Sequence, residues 1–270
     1  MDSTTQDAAS RHFRAFTEEL LREWSVWRFE QKPFHVKGHE ADPIAYKRFS
    51  IVYGLACQAH EAAKGYLSAL AEAPAAATPL ARSCFELAMT AHWIVQIPDA
   101  YAAVAKKDLK SSITLEKDLR AAKDPVFHPF ADMVADRISA EDGESVHTTS
   151  AGSAKDFKQL CEDLEDAADY YLHYRFQSAE SHAGLSVSSQ WIEFSEPGGA
   201  VRMKLHPRQR DEWLALVAAS LLWAESAIDC LDATHERRTY LDEVAARLGC
   251  PRELPPSEKA VRRLRKRGKN

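Results

Sequence analysis

Two short stretches of the sequence collect side chains able to handle an anion or a proton. In LARSCFELAMTAHWIVQIPDAY, positions 80–101, Arg82 and Glu86 stand four apart, which puts both on one face of a helix, and His92 and Trp93 follow on the next turns. In YYLHYRFQSAESHAG, positions 170–184, Arg175, Ser178 and His182 recur at i, i+3 and i+7, again a single stripe. Guanidinium, hydroxyl and imidazole groups beside apolar neighbours are costly to bury unless each finds a partner. If the two stripes face each other, Glu86 can accept from Arg175 or orient His182. Arg82 is then left for a phosphate or carboxylate, and His182 for general acid–base work. The plainer account is an intrahelical Arg82–Glu86 pair and a histidine whose hydrogen bonds fix helix register. Both accounts stay open at this level.

The R-S-x-F-E-L-A of residues 82–88, the H-W-I of 92–94 and the Y-R-F-x-S-x-x-S-H-A-G of 174–184 resemble the DUF5677 family of bacterial helical proteins of unknown function. The resemblance runs over about residues 45–235 and leaves the first helix and the basic C-terminus outside. It implies that Arg82, Glu86, Ser178 and His182 match the family's recurrent polar positions, and it implies no activity. A second resemblance is to HEPN ribonucleases, helical enzymes whose R-x(4–6)-H acts on the RNA phosphodiester; Arg175 and His182 have that spacing. It implies a metal-independent ribonuclease of phage defence or toxin–antitoxin biology, with Arg175 and His182 catalytic across a two-fold interface. Phe176 stands where those enzymes usually have a polar residue, and Arg28 and His35 show the same spacing.

Other chemistries lack their residues. A ferritin-like di-metal site needs two E-x-x-H pairs, and only Glu144/His147 occurs, with Asp232/His235 a lone D-x-x-H. His35 and His39 lie four apart in an expected loop without a third ligand. The five cysteines, Cys57, Cys84, Cys161, Cys230 and Cys250, include no C-x-x-C and read as buried free thiols of a reducing compartment. Phosphate-loop, dinucleotide, nucleophile-elbow and zincin motifs do not occur, so neither a metal nor an organic cofactor is expected.

The 270 residues suffice for one large domain or two small ones. Hydrophobic residues at 45%, charged residues at 28% and only 10 Gly exclude a disordered chain, a collagen and a disulfide scaffold. Charge is uneven: residues 257–270 hold seven cations against Glu258 alone, so the rest of the chain is net −11 within a total of −5. An acidic body repels polyanions, whereas the basic tail, 259–269, can touch RNA, stay solvated or rest on the acidic body. The polar N-terminus MDSTTQDAAS carries no secretory signal, and Leu214–Ala224, the longest nearly apolar run, is about half of a membrane span, so a cytoplasmic location without a membrane is expected.

The elements positioning these residues are helices. Apolar spacing predicts them over 8–29 (Asp7 as N-cap), 43–73, 80–97, 99–122, 125–138, 154–183 and 237–248 (Gly249 as C-cap). A last long helix begins at Pro207 and carries Trp213 through Leu231. Gly54, Ala56, Ala59, Ala63 and Gly65 allow close helix approach in the second helix. Trp24, Trp27, Trp213 and Trp223 read as core. Residues 140–153 read as a mobile loop. Alternation over 187–194 and 201–205, around SEPGG, predicts a β-hairpin. LDEVAARLGCP resembles the first helix of a DNA-binding pair, but only a short basic helix over 257–267 follows it. The expectation is an all-α multi-helix bundle with one small hairpin near residues 187–205, a single helical domain over 1–250 and a basic tail over 251–270. Its polar pocket would bind an anionic small molecule or a protein partner, and a homodimer is compatible.

Overall fold

A computed structural model describes residues 3–30, 32–140, 148–194, 201–204 and 211–267. Its helices are α1 (Ser3–Phe29), α2 (Ala45–Glu72), α3 (Pro74–Gln96), α4 (Ala100–Ala121), α5 (His128–Ala140), α6 (Ala151–Lys155), α7 (Phe157–Glu162), α8 (Ala167–Ser181), α9 (Leu185–Ser188), α10 (Leu214–Leu231), α11 (Arg238–Leu248) and α12 (Glu258–Arg267). Strands β1 (Ile192–Phe194) and β2 (Val201–Met203) form one antiparallel pair, with Glu193 opposite Arg202. The fold is an all-α bundle with a small hairpin.

α10 is the central helix, and fifteen of its eighteen residues are buried against α1, α2 and α3. The stretch Asp211–Leu231 is long and apolar enough to cross a membrane, yet 89% of its apolar 18-residue window lies inside the fold. α2 and α3 form the closest pair, because Ala56, Ala59 and Ala63 on one face Ala77, Ala81 and Ala88 on the other across a buried seam. Gly65 belongs to this seam, since a β-carbon there would lie 3.4 Å from the Leu80 methyls, whereas Gly54 faces open space. Trp24, Trp93 and Trp223 are fully buried, Trp213 nearly so, and Trp27 packs on their rim.

Ionic clusters cross the core, among them one at Glu225 and one at Asp163. His60 of α2 stacks on Trp24, 4.4 Å between rings, and bridges the Ala56 carbonyl (2.7 Å) to the Glu225 carboxylate (3.0 Å) of α10. Arg237 closes that cluster on Glu225 and lies over the Trp24, Trp27 and Tyr240 rings. In the second, Asp163 accepts from the Trp93 indole (3.1 Å) and bidentately from Arg263 of α12, whose guanidinium also donates to Ser150 (3.0 Å). Ser150 in turn donates to Asp99, which also accepts from Thr149 N (2.7 Å). Burial alone would raise the Asp99 carboxyl, but bonds from Ser150, Thr149 and Thr148 hold it below its usual range.

Several boundaries differ from the sequence expectation, each for a physical reason. α1 starts at Ser3 and runs through Asp7 instead of being capped by it. α3 begins at Pro74, whose missing N–H costs nothing in a first turn, so Pro79 lies inside the helix. The helix expected over 154–183 is interrupted at Asp156, whose extended backbone separates α6 from α7, and breaks again at Asp163–Asp166, where Asp166 takes a left-handed φ of 59°. The break is held from outside: Glu165 N donates to Pro255 O (2.8 Å), and Ser257 N to Asp163 O (2.8 Å). Of the expected loop, 141–147, which includes Glu144 and His147, lies outside the described residues. Thr148–Ser150 instead wrap Asp99 and lead into α6. The first strand shortens to three residues because 185–188 form a helical turn. SEPGG, Leu205 and Pro207 lie outside the described residues.

The basic end is docked rather than free. Ala260 is fully buried, Leu264 packs on the core, Lys259 pairs with Glu162 and Arg263 with Asp163. Arg262, Arg265 and Lys266 remain exposed. Gly249 ends α11 in the left-handed conformation at φ 68°, as a C-terminal glycine should.

Candidate functional site

The two polar stripes meet. α8 packs along α3, and Thr78, Arg82 and Glu86, four apart on α3, present one ridge to it. Arg82 Nη2 donates to the Tyr174 hydroxyl (2.7 Å), its guanidinium lies 4.7 Å from that ring's centre, and Nη1 reaches His182 Nε2 at 3.4 Å. A guanidinium only donates, so the imidazole meets it with a lone pair and carries its own hydrogen on Nδ1. Glu86 stands 3.7 Å from Arg82 and is half exposed. Thr78 donates to Glu180 at 3.4 Å and ties the ends of the two helices.

His182 is where α8 stops. Its N–H donates to Ser178 O (3.1 Å) while its own backbone turns extended, which swings the ring out of the helix and over Arg82. Ser178 is half-buried, and its hydroxyl has no hydrogen bond among the described residues. Two groups on this interface are also unsatisfied. Arg82 Nε is buried without a partner, and Gln177, wholly buried, has neither its amide nitrogen nor its oxygen paired among the described residues. Buried polar atoms left unpaired are uncommon in folded proteins and usually mark water, a ligand or strain.

Arg82, Glu86 and His182 therefore come together, with Ser178 one turn below His182. Arg175 does not join them: it is exposed and makes no ion pair or hydrogen bond among the described residues. The guanidinium beside His182 is that of Arg82. Arg82 is also clamped by Tyr174 rather than left free, and among the described residues no hydrogen bond or ion pair joins Glu86 to Arg175 or His182. The residue missed in the sequence is Tyr174. Its signal was present, since 174, 178 and 182 are four apart and form the ridge that faces α3, whereas 175 lies a further 100° round the helix.

Several other reactive groups are enclosed, whereas His12, His35, His39 and His128 are exposed. His92 is fully buried, with Nδ1 toward Trp223 O (3.3 Å) and Nε2 accepting from Leu254 N (2.9 Å); burial holds its pKa down to about 4. Burial likewise pushes the thiols up, to about 12 at Cys84 and Cys230 and about 11 at Cys250, so none of these is a ready nucleophile. Among the described residues no three His, Cys, Asp or Glu side chains gather as a metal site.

All the quoted motifs fall within residues 49–199, the span matched by the model of a family of unknown function, DUF5677. The chain belongs to this family. The match stops at 199 rather than near 235, so the central helix α10 of this DUF5677 protein, like α1, α11 and α12, lies outside it. No curated protein and no solved structure matches the chain. The α3–α8 site is thus built wholly from the DUF5677 region, while the Asp163–Arg263 cluster joins that region to a helix beyond it.

Proposed function

We propose that this protein binds a small anionic ligand, a phosphate or carboxylate, in the groove between α3 and α8. One observation carries the reading: the Arg82 guanidinium meets a phenol hydroxyl and an imidazole lone pair, and among the described residues its ion-pair partner is the half-exposed Glu86 rather than a buried carboxylate. An anion beside Nη1 would accept from Arg82, and the imidazole could turn from acceptor to donor by taking a proton. The unpaired Ser178 hydroxyl would supply a further donor. Free thiols at all five cysteines support a reducing compartment, the cytoplasm, as the place of action.

Thermal shift and calorimetry against a panel of phosphorylated and carboxylated metabolites test this. Saturable stabilisation of wild type, lost in Arg82→Ala and in His182→Ala and kept in Arg175→Ala, supports the groove. The absence of any wild-type response, or an equal response in Arg82→Ala, ends the reading. Incubation with total RNA separates binding from catalysis: cleavage lost in His182→Ala but kept in Arg175→Ala would make the same Arg82–His182 pair act on phosphodiesters.

A further inference from the structure

α12 gives the chain one strongly basic face. Ala260 and Leu264 turn inward, and Arg263 is closed bidentately on Asp163. At 3.6 residues per turn the opposite arc carries Glu258, Lys259, Arg262, Arg265 and Lys266, all exposed. Four cations thus stand against one carboxylate. Lys158 of α7 borders them, because Glu162 pairs with both Lys158 and Lys259. Along Lys259, Arg262, Arg263 and Lys266 runs an open hollow of about 520 Å³, room for a sugar–phosphate unit. The helix is fixed in place: the Ser257 hydroxyl accepts from Ala260 N (3.4 Å) and donates to Glu162 O (2.7 Å). The cations therefore stand on a docked element, which a partner need not order.

The exposed arc also selects its partner. Its pairs, Arg262 with Glu258 and Lys259 with Glu162, lie in water, where an ion pair is worth little and exchanges readily for another anion. The five side chains include nothing apolar to enter a bilayer and no aromatic ring to stack an unpaired base. They also include no hydroxyl or amide to meet a ribose 2′-hydroxyl. What they offer is Lys and Arg along a helix of about 15 Å, a length over which duplex DNA presents roughly nine phosphate charges. The chain before residue 257 is net −11, so the field steers a polyanion to this side. We propose that the outer face of α12 binds the phosphate backbone of double-stranded DNA without reading its sequence. α12 lies beyond the family match, so this surface belongs to the chain's own flanking segment.

Fluorescence anisotropy of a short labelled DNA duplex, titrated with the full chain at several salt concentrations, tests this. Saturable binding is expected, its logarithmic salt dependence having a slope of about −3.6 for four phosphate contacts. Replacing two exposed cations together, Arg262→Ala with Lys266→Ala, should reduce that slope to about −2. Lys64→Ala on α2 and Arg82→Ala should bind DNA as wild type does, which separates this face from the α3–α8 groove. Independently of how the variants fold, the backbone amide signals of residues 258–266 are expected to shift when DNA is added to wild type. No binding at low salt, an unchanged slope in the double variant, loss of binding in Arg82→Ala, or amide shifts confined to other helices would overturn the proposal. So would duplex RNA, polyglutamate or phosphatidylserine vesicles held as tightly as the DNA at equal salt.

Discussion

Arg82 and Arg263 are both partly buried arginines at helix interfaces, yet their surroundings differ in one respect. Arg263 closes on Asp163, a carboxylate with no solvent exposure that also holds the Trp93 indole. Arg82 closes on a phenol and an imidazole, and its nearest carboxylate, Glu86, is half exposed at 3.7 Å. A bidentate buried pair has its charge matched inside the chain, and its worth is structural. A guanidinium hydrogen-bonded to a phenol and an imidazole, with its ion-pair partner half exposed to water, keeps an electrostatic demand that an outside anion can meet. Burial and ionic side chains alone do not tell the two apart; the identity of the partner does.

The contrast predicts unequal costs. Arg263→Ala strands a buried Asp163 and should lower unfolding free energy by about 3–5 kcal/mol in urea titration, with α12 losing its amide protection. Asp163→Asn combined with Arg263→Ala should recover part of that loss, because no uncompensated charge remains. A loss below about 1 kcal/mol for Arg263→Ala would mean that α12 is not held by this pair.

The next effect comes from His92, which ties α3 to the segment before α12. The unfolded imidazole takes a proton near pH 6.5 and the folded one only near 4, so its contribution is complete above pH 6.5 and is lost as pH falls toward 4. The expected fall is about 3 kcal/mol across that window. His92→Gln, which can still donate and accept, should flatten the profile while costing less at pH 7. Equal slopes in the two proteins would remove His92 as the cause.

Arg82→Ala is expected to cost only about 1 kcal/mol of stability, since it breaks hydrogen bonds to a phenol and an imidazole at a half-open site, while removing anion binding. Arg175→Ala should shift stability by less than about 0.5 kcal/mol and leave binding intact. A larger loss from Arg175 than from Arg82 would reverse the assignment of the two arginines.

The helices were legible because burial imposes a 3.6-residue period on apolar side chains, and the Arg82, Glu86 and His182 constellation was legible because charged groups interrupt that period. What escaped was set by distant partners. The break at 163–166 depends on Pro255 and Ser257 bonding to a backbone ninety residues earlier, which no local propensity encodes. Pro79 misled because a proline near a helix start is as acceptable as one at it. Arg175 and Tyr174 are neighbours in sequence, and only the direction of α3 decides which of them faces the site. For the basic end the sequence left contact with RNA, solvation and docking on the acidic body all open, because the acid that receives it, Asp163, sits inside what read as an unbroken helix.

The most direct test follows the His182 ring itself. Side-chain imidazole resonances, assigned with His182→Gln, can be followed as inorganic phosphate is added at constant ionic strength. The account predicts a saturable shift of the His182 signals that vanishes in Arg82→Ala and persists in Arg175→Ala. Signals of His182 that stay fixed while phosphate binds elsewhere, or that shift equally without Arg82, would contradict it.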